Sequence, residues 1–492
     1  MRKQIILLLT AALVITSVPQ SVMASVNTTS DNEISDEINL EDTVSDNEAF
    51  DEMHLKDTTS DNAVSEHTIS EDVISEDTVS DNTVSEDTVS GNAVSENSIS
   101  ENIIDDAYLN YDGKNDYVVE KSEQAYADPD NQDSKVQEEW MAATHIPYQY
   151  SAVEDGYVTS VKDQRPYATN WVFSATAAME SSMIKRGISA ADQTDLSELG
   201  LAYFLYGPVR DPLGNASNDK NSLSSSTYLE AGGNLSYVMN YLSTWNGVYE
   251  ETKIPYSLAQ NTIPSSYADE QSACLEAAYI VDCEETNRIK QLLIQYGAAA
   301  TKFYFSTYSK NYQPTNSAYH LSGYQSSNYS ATIVGWDDTY PISNFAEYKP
   351  SAPGAWLVKN SLSDEGGTKG YFWISYETLA DQDSEAFFFV MKEKDPLARN
   401  YFYDGSAYAH KMDWMSHLSV ANVYTMQGGE NGRTEFLDGV GLTSTARNIR
   451  ISIYKNPTDS AIPSSGECVE TFEEANLSPG FHTIPLRKAI PV

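Results

Sequence analysis

The apolar residues of this chain are spread very unevenly along it. An unbroken apolar run covers Ile5 to Ile15. From Ser25 to about Ile104, only about one Val or Ile occurs in every five residues, which fits neither the period of a helix nor that of a strand. Tyrosines and tryptophans become frequent only after Tyr108. The pattern therefore predicts that folded structure begins near residue 108.

Two kinds of pattern predict the elements that follow. Within Asn170–Arg186, apolar residues recur at helical spacing, and the small residues among them suit a buried helix. These residues are Val172, Ala175, Met179 and Met183. Apolar segments predict strands at Ser330–Trp336, Ala355–Lys359, Tyr371–Tyr376 and Phe387–Met391. Because helical patterns come early and strand patterns late, we expect an α+β domain rather than a parallel sheet.

A second unit, rich in strand patterns, begins near Asn400. Ile449, Ile451 and Ile453 alternate with polar residues, which places them on one face of a strand. Turn residues follow directly, and we predict a β-sandwich here. The chain is thus divided into a targeting segment (1–24), a spacer (25–107), a lead-in (108–149), the α+β domain (150–394) and the sandwich (395–492).

The first 24 residues have the features of a secretory signal peptide. Arg2 and Lys3 precede the apolar run, and Ala24 supplies a small residue at a cleavage point. The alternative is an uncleaved N-terminal anchor. No other apolar stretch is long enough to cross a bilayer, so we expect a secreted or cell-surface, extracellular protein without a transmembrane segment.

More than half of the net negative charge of the chain lies in the spacer. The formal net charge is −42, and Lys56 is the only basic residue between Ser25 and Asp106. A segment of this composition buries too little apolar surface to offset the conformational entropy lost on ordering. We therefore predict a disordered acidic repeat, with a short β-solenoid as the alternative. A nucleic-acid partner is disfavoured because binding normally needs a basic patch.

The three cysteines do not form a disulfide framework. Cys274 and Cys283 are close enough in sequence to pair, but we favour the interpretation that they are two small buried side chains. No closely spaced cysteine or histidine ligands are present, so we expect no metal and no cofactor.

The most informative stretch runs from Gly156 to Thr176 and contains Gln164 and, six residues later, Asn170-Trp171. It resembles the papain family of cysteine peptidases, in which a Gln precedes a Cys-Trp pair that opens a long buried helix. Two later segments match in order. Thr332–Asp338 resembles the strand that begins with the catalytic histidine, and Trp356–Ser361 resembles the segment with the catalytic asparagine.

The resemblance covers about residues 150–392 and implies a papain-like two-lobe fold, with a helical lobe and an antiparallel β lobe. Peptide hydrolysis in this family needs a thiolate at a helix N-terminus, an imidazole as its base, an asparagine that orients the imidazole, and a glutamine as oxyanion donor. Gln164 and Asn360 occupy two of these places. We expect that they now hold loops.

The other two places are substituted. Asn170 stands at the cysteine position, and Tyr329, counted back from Trp336, stands at the histidine position. A carboxamide has no thiolate form, and a phenol is a poor base at neutral pH. Because asparagine is a favoured N-cap residue, we expect Asn170 to cap the helix instead.

The main hypothesis is therefore an inactive papain-family homologue that binds a peptide or protein ligand in its cleft. One alternative is an active peptidase with atypical groups, for which His320 is the nearest substitute base. Another is a carbohydrate-binding adhesin, because the last unit resembles the lectin-like domain of some secreted bacterial relatives. Tyr408 and Trp414 are its candidate stacking residues. That resemblance also implies a strand beyond Phe481–Leu486, so we expect the sandwich to be incomplete.

Overall fold

The structure is a computed structural model. It describes residues 3–12, 109–111, 116–119 and 145–492, apart from 215–220, 222, 224, 366, 396–397, 403–416, 427–434 and 460–461. The predicted spacer therefore lies outside the described residues, as do Tyr408 and Trp414.

Five α-helices and eighteen strands are described. The helices are α1 (Asn170–Lys185), α2 (Glu198–Leu205), α3 (Leu235–Ser243), α4 (Thr286–Tyr296) and α5 (Tyr376–Asp381). The strands before α4 are β1 (Lys3–Ala12), β2 (Leu109–Tyr111), β3 (Asp116–Val119), β4 (His145–Pro147), β5 (Gln149–Ser151) and β6 (Ala273–Asp282).

The strands after α4 belong to two groups. Those of the middle domain are β7 (Ala299–Phe303), β8 (Tyr312–Gln313), β9 (Ala318–Tyr319), β10 (Tyr329–Asp337), β11 (Ala355–Lys359), β12 (Tyr371–Ser375) and β13 (Glu385–Glu393). Those of the last unit are β14 (His417–Met426), β15 (Phe436–Ser444), β16 (Ile449–Lys455), β17 (Glu467–Glu474) and β18 (Gly480–Pro491).

Helix α1 is buried, as predicted, and ends one residue earlier than expected. All of its residues from Asn170 to Met183 are buried. Small side chains such as Ala175 and Ala178, both fully buried, let the helix pack closely against β10 and β13. The helix ends where Gly187 takes a left-handed conformation at φ 71°.

The predicted strands of the middle domain are confirmed and join one large sheet. Along the main path the strand order is β15-β18-β6-β13-β7-β10-β11-β12-β9-β8, with β5 also paired to β10. All pairs are antiparallel except the short pair of β9 with β12. The predicted strand over 371–376 stops at Ser375, because that side chain accepts a hydrogen bond from the backbone N–H of Thr378 and starts α5.

Two cores lie on either side of this sheet system. The helical lobe packs α1, α2 and α3 around Trp171, Leu199 and Val238. The β lobe encloses an aromatic core that includes Phe303, Trp336 and Trp356. The fold is therefore α+β with a helical lobe and a β lobe, as the resemblance implied.

The last unit forms two layers around one core. Strands β14, β16 and β17 contribute to one layer, and β15 and β18 form the other. Ile449, Ile451 and Ile453 are buried between them, as predicted. Strand β1 lies between β14 and β16, and antiparallel to both. Its residues belong to the predicted signal peptide, whose cleavage stays a prediction.

Strand β18 also continues the large sheet of the middle domain. Its first residues, Gly480 to His482, pair with Tyr279 to Ala277 of β6. At Gly480, φ is 138°, and a Cβ there would lie 1.9 Å from the carbonyl oxygen of Ala278, so only glycine allows this approach. The last unit is thus joined to the middle domain through shared backbone hydrogen bonds.

Across the described residues, none of the helices combines the length and the apolar character that a bilayer span requires.

Candidate functional site

The site predicted from the sequence centres on the start of α1. Asn170 is the first residue of the helix, and Thr169 occupies the N-cap position without making a capping hydrogen bond. The expectation that Asn170 caps the helix is therefore wrong. The chain turns into the helix one residue earlier, and the Thr169 hydroxyl instead lies 2.6 Å from the hydroxyl of Tyr256.

The carboxamide of Asn170 is 8% exposed. Among the described residues it has no hydrogen-bond partner, and its polar atoms are not sealed from solvent. The positive end of the helix dipole lies here, and it would lower the pKa of a thiol. A carboxamide does not ionise, so this environment activates nothing in the present chain.

Tyr329 and Asn360 are in direct contact. The Tyr329 hydroxyl donates a hydrogen bond of 2.5 Å to Oδ1 of Asn360. The same oxygen accepts the backbone N–H of Ser361 at 2.7 Å. The asparagine that would orient an imidazole in the family pattern therefore holds a phenol.

Burial keeps this phenol in its neutral form. Tyr329 is only 6% exposed, and its ring packs against Phe303 and Phe305 at centroid distances of 6.0 and 5.8 Å. Burial raises the pKa of Tyr329 well above 10. At neutral pH the hydroxyl is a hydrogen-bond donor committed to Asn360, and it cannot accept a proton as a base.

Gln164 joins two segments of the site. Its Nε2 donates to the carbonyl of Tyr167 at 3.0 Å, and its Oε1 accepts from the hydroxyl of Ser361 at 2.6 Å. Its backbone N–H donates to the carbonyl of Ser361 at 2.9 Å. These contacts tie the loop before α1 to the segment that carries Asn360.

The start of α1 faces the start of β10. The Ser174 hydroxyl donates to the carbonyl of Ala331 at 2.6 Å, and the Thr332 hydroxyl donates to the carbonyl of Ser174 at 3.1 Å. Ser174 lies one helical turn beyond Asn170, and Ala331 lies two residues beyond Tyr329. The four predicted site residues therefore lie along one junction between the lobes.

A buried charge network lies directly behind this junction. Lys162 Nζ contacts Oε1 of Glu180 at 2.8 Å, Oε1 of Glu198 at 2.9 Å and Oδ1 of Asp195 at 2.8 Å. Burial alone would lower the pKa of Lys162, but Glu198 and Glu180 raise it above its usual value. Burial raises the pKa of Glu198, and Lys162 opposes that shift. The network holds the N-terminal loop, α1 and α2 together.

Lys359 extends the network into the β lobe. Its Nζ donates to the Thr159 hydroxyl at 3.0 Å, and that hydroxyl donates to Oε2 of Glu180 at 2.5 Å. Burial lowers the pKa of Lys359 to about 8, with Glu180 acting in the opposite direction. Because Lys359 directly precedes Asn360, the network also fixes the backbone that carries the site.

This lowered pKa predicts a pH-dependent stability. Between about pH 8 and 10.5, the unfolded chain keeps a proton on Lys359 that the folded chain has lost. Stability therefore rises with pH in that window, by at most about 1.4 kcal/mol per pH unit. We expect the free energy of unfolding of wild type, minus that of Lys359→Met, to increase from pH 8 to 10 in urea titrations. A constant or falling difference would contradict the prediction.

His320, the substitute base considered above, lies elsewhere in the β lobe. It is fully buried, with Nδ1 at 2.8 Å from the Ser375 hydroxyl and Nε2 at 3.0 Å from the Ser322 hydroxyl. Burial lowers its pKa, against the effect of Glu377 and Asp381. Its ring packs against Phe345. The described contacts tie His320 to the start of α5 rather than to Asn170 or Tyr329.

The charge network was missed in the sequence analysis, although one signal was available. Glu180 is the one carboxylate in α1, whose other buried residues are mostly small or apolar, and an unpaired carboxylate is costly there. That position predicts a buried cationic partner. Its identity could not be inferred, because Lys162 and Lys359 come from opposite ends of the domain.

For Cys274 and Cys283, the structure supports two buried side chains rather than a disulfide. Cys274 and Cys283 are both buried and free, and Cys468 is free and exposed.

Comparisons with known proteins match the middle domain. The sequence profile described as "Papain family cysteine protease" matches residues 224–387, which include Tyr329 and Asn360 but begin after Gln164 and Asn170. Testin-2 of Rattus norvegicus is 26% identical over 240 residues, 47% of this chain and 61% of its own length. Cathepsin L2 of Homo sapiens is 24% identical over 228 residues, 45% of this chain and 58% of its own length. The chain thus spans about three fifths of the length of these relatives.

Solved structures match a larger part of the chain. One holds the cysteine protease and lectin-like domains of Cwp84, a surface layer associated protein of Clostridium difficile; it has a TM-score of 0.54 at 23% identity and covers 70% of this chain and 72% of that one. A clostridial Cwp84 structure after propeptide cleavage has a TM-score of 0.51 at 22% identity and covers 70% of this chain and 80% of that one. At these identities the likeness shows the fold, a papain-like α+β domain followed by a β-rich unit.

Proposed function

We propose that this chain is a secreted papain-family homologue that does not hydrolyse peptides and instead binds a peptide or protein segment at the junction of its lobes. The observation that carries the proposal is the hydrogen bond of 2.5 Å from Tyr329 to Asn360. In the family pattern Asn360 would orient the catalytic histidine, but here it accepts a hydrogen bond from a neutral phenol. Asn170 supplies no nucleophile.

The contacts of the remaining family residues support the loss of activity. Gln164 uses its side chain to bridge Tyr167 and Ser361. An oxyanion donor contributes to catalysis only when it is directed at the reacting carbonyl. Gln164 and Asn360 therefore act as links between loops, and His320 offers no replacement because its two ring nitrogens face hydroxyls outside the site.

Two features support binding at the same place. The Asn170 carboxamide has no partner among the described residues, so it is available to donate to and accept from a peptide backbone. The backbone of Gly233 lies against the Trp171 indole, where an added Cβ would be 2.4 Å from the ring. A chain that contacts this backbone would lie directly beside Asn170.

A location outside the cell is part of the proposal. It rests on the predicted signal peptide and on the likeness to a protein that is described as surface layer associated. The acidic spacer would then hold the folded part away from the surface, because its like charges repel one another.

Glycan binding by the last unit is a second candidate. It rests on the likeness to a structure that contains a lectin-like domain. The stacking residues suggested for it, Tyr408 and Trp414, lie outside the described residues, so the middle domain offers the sharper experiment.

The experiment offers the secreted chain a pool of peptides from digested casein and identifies those it retains. We expect wild type to retain peptides without cutting them. Asn170→Phe should not retain them, because it places a ring where the carboxamide now lies. Tyr308→Ala, at a side chain that is 52% exposed, is the matched control and should retain them. Cleavage of the peptides by wild type, or equal retention by Asn170→Phe, would contradict the proposal.

A further inference from the structure

The β lobe carries a concave surface on the outer face of its sheet. Side chains alternate along β12, so Phe372 and Ile374 enter the core while Tyr371 and Trp373 face outward. These two residues line a groove of about 260 Å³ together with Leu357 and Glu154. Ser151, Val153, Ser317 and Thr368 complete its lining.

Trp373 is held as a rigid platform within this groove. Its ring stacks on that of Tyr340 with a centroid distance of 4.6 Å and an interplanar angle of 25°. Its backbone N–H donates to the carbonyl of Ser317 at 2.7 Å, and Leu357 is its cross-strand partner on β11. A half-buried indole fixed in this way presents a flat surface at little cost in side-chain entropy.

Three polar groups of the groove are not used by the fold. Among the described residues, the indole N–H of Trp373, the hydroxyl of Tyr371 and the carboxylate of Glu154 have no hydrogen-bond partner, and none of them is sealed from solvent. The hydroxyls of Ser317 and Thr368, by contrast, lie 2.9 Å apart and satisfy each other. The groove thus combines an aromatic surface with two donors and one anionic acceptor.

We propose that this groove binds a single neutral pyranose ring. One apolar C–H face of the sugar stacks on Trp373, its hydroxyls donate to Glu154, and its oxygens accept from Tyr371 and Trp373. A few placed polar groups around an aromatic surface are typical of small-molecule sites. The volume lies just below the range of about 300–1,000 Å³ for drug-sized ligands, so it suits one ring.

The charge of the groove selects against acidic ligands. Of the residues described as lining it, none is lysine, arginine or histidine, and Glu154 is negative. A sulfated or phosphorylated sugar would meet a like charge without a compensating cation. The site is separate from Asn170 and from the β-sandwich, so its ligand does not depend on the peptide-binding proposal.

The test uses saturation-transfer NMR of methyl β-glucopyranoside with the full secreted chain. We expect a Kd of about 1 mM, which is typical of so small a ligand, with the strongest transfer to ring C–H protons. Trp373→Ala should abolish the signal, and Glu154→Gln and Tyr371→Phe should each weaken binding at least about threefold. Tyr324→Ala, at an exposed side chain outside the groove, should leave it unchanged.

Glu154→Gln and Tyr371→Phe keep the test decisive even if Trp373→Ala folds poorly, because each changes only a polar group that has no partner among the described residues. Equal binding by wild type and these two variants would overturn the proposal, as would the absence of transfer from wild type at about 20 mM probe. Glucose 6-sulfate should bind more weakly than the neutral probe, and equal or tighter binding would refute the assigned specificity.

Discussion

We expect that Asn170→Cys combined with Tyr329→His gives peptide hydrolysis, while wild type and both single variants stay at background. In a serine peptidase, loss of the nucleophile or the base alone costs about 10⁶ in rate, and loss of both costs little more. The two replacements must therefore be reversed together. Asn360 already accepts a hydrogen bond from residue 329, so an imidazole placed there finds its orienting partner.

The assay measures cleavage of a fluorogenic peptide amide by the full chain. It is best done in a Cys468→Ser background, so that Cys468, which is free and exposed, adds no second accessible thiol to the cysteine variants. Adding Gln164→Ala to the double variant should reduce the rate by about 10²–10³, provided that Gln164 turns toward the oxyanion. Wild-type hydrolysis that survives Gln164→Ala would mean that the active site lies elsewhere.

The second large effect concerns stability. We expect Glu180→Ala to lower the free energy of unfolding by about 3–5 kcal/mol, because it removes one partner of a buried ionic network and leaves Thr159 and Lys359 without their anion. Glu180 is fully buried and also accepts the backbone N–H of Leu196 at 2.8 Å.

Asp195→Ala is the matched control within the same network. Its side chain is 55% exposed, although it contacts Lys162 at the same distance as Glu180 does. Exposed ion pairs contribute only about 0–1 kcal/mol because solvent screens them. Urea unfolding that gives similar losses for the two variants would show that burial does not decide the strength of this network.

The elements with a regular apolar period were predicted well. Helix α1 and strand β11 were placed within one residue, because burial along α1 and in the core follows directly from side-chain type. The N-cap residue was predicted wrongly as Asn170, because N-cap preference does not distinguish between two neighbouring polar residues. Thr169 precedes Asn170 and took that position.

Contacts between distant segments could not be predicted from local pattern. The network joins Lys162 to Glu198 across 36 residues and Lys359 to Thr159 across 200. The groove beside Trp373 likewise depends on where the 150–154 segment lies relative to β12. Tertiary packing decides such pairs, and no period along the chain encodes them.

The pairing of β18 with β6 has a consequence for how this protein is made. One edge of β6 is covered only when residues from Gly480 onward arrive, and Arg288 then reaches the Ser478 hydroxyl across 190 residues of chain. Contacts of such separation form late, because loop-closure entropy must be overcome first. A chain synthesised from its N-terminus therefore carries an open β6 edge until residue 480 has been added. Until then, this edge is the place where aggregation competes with folding.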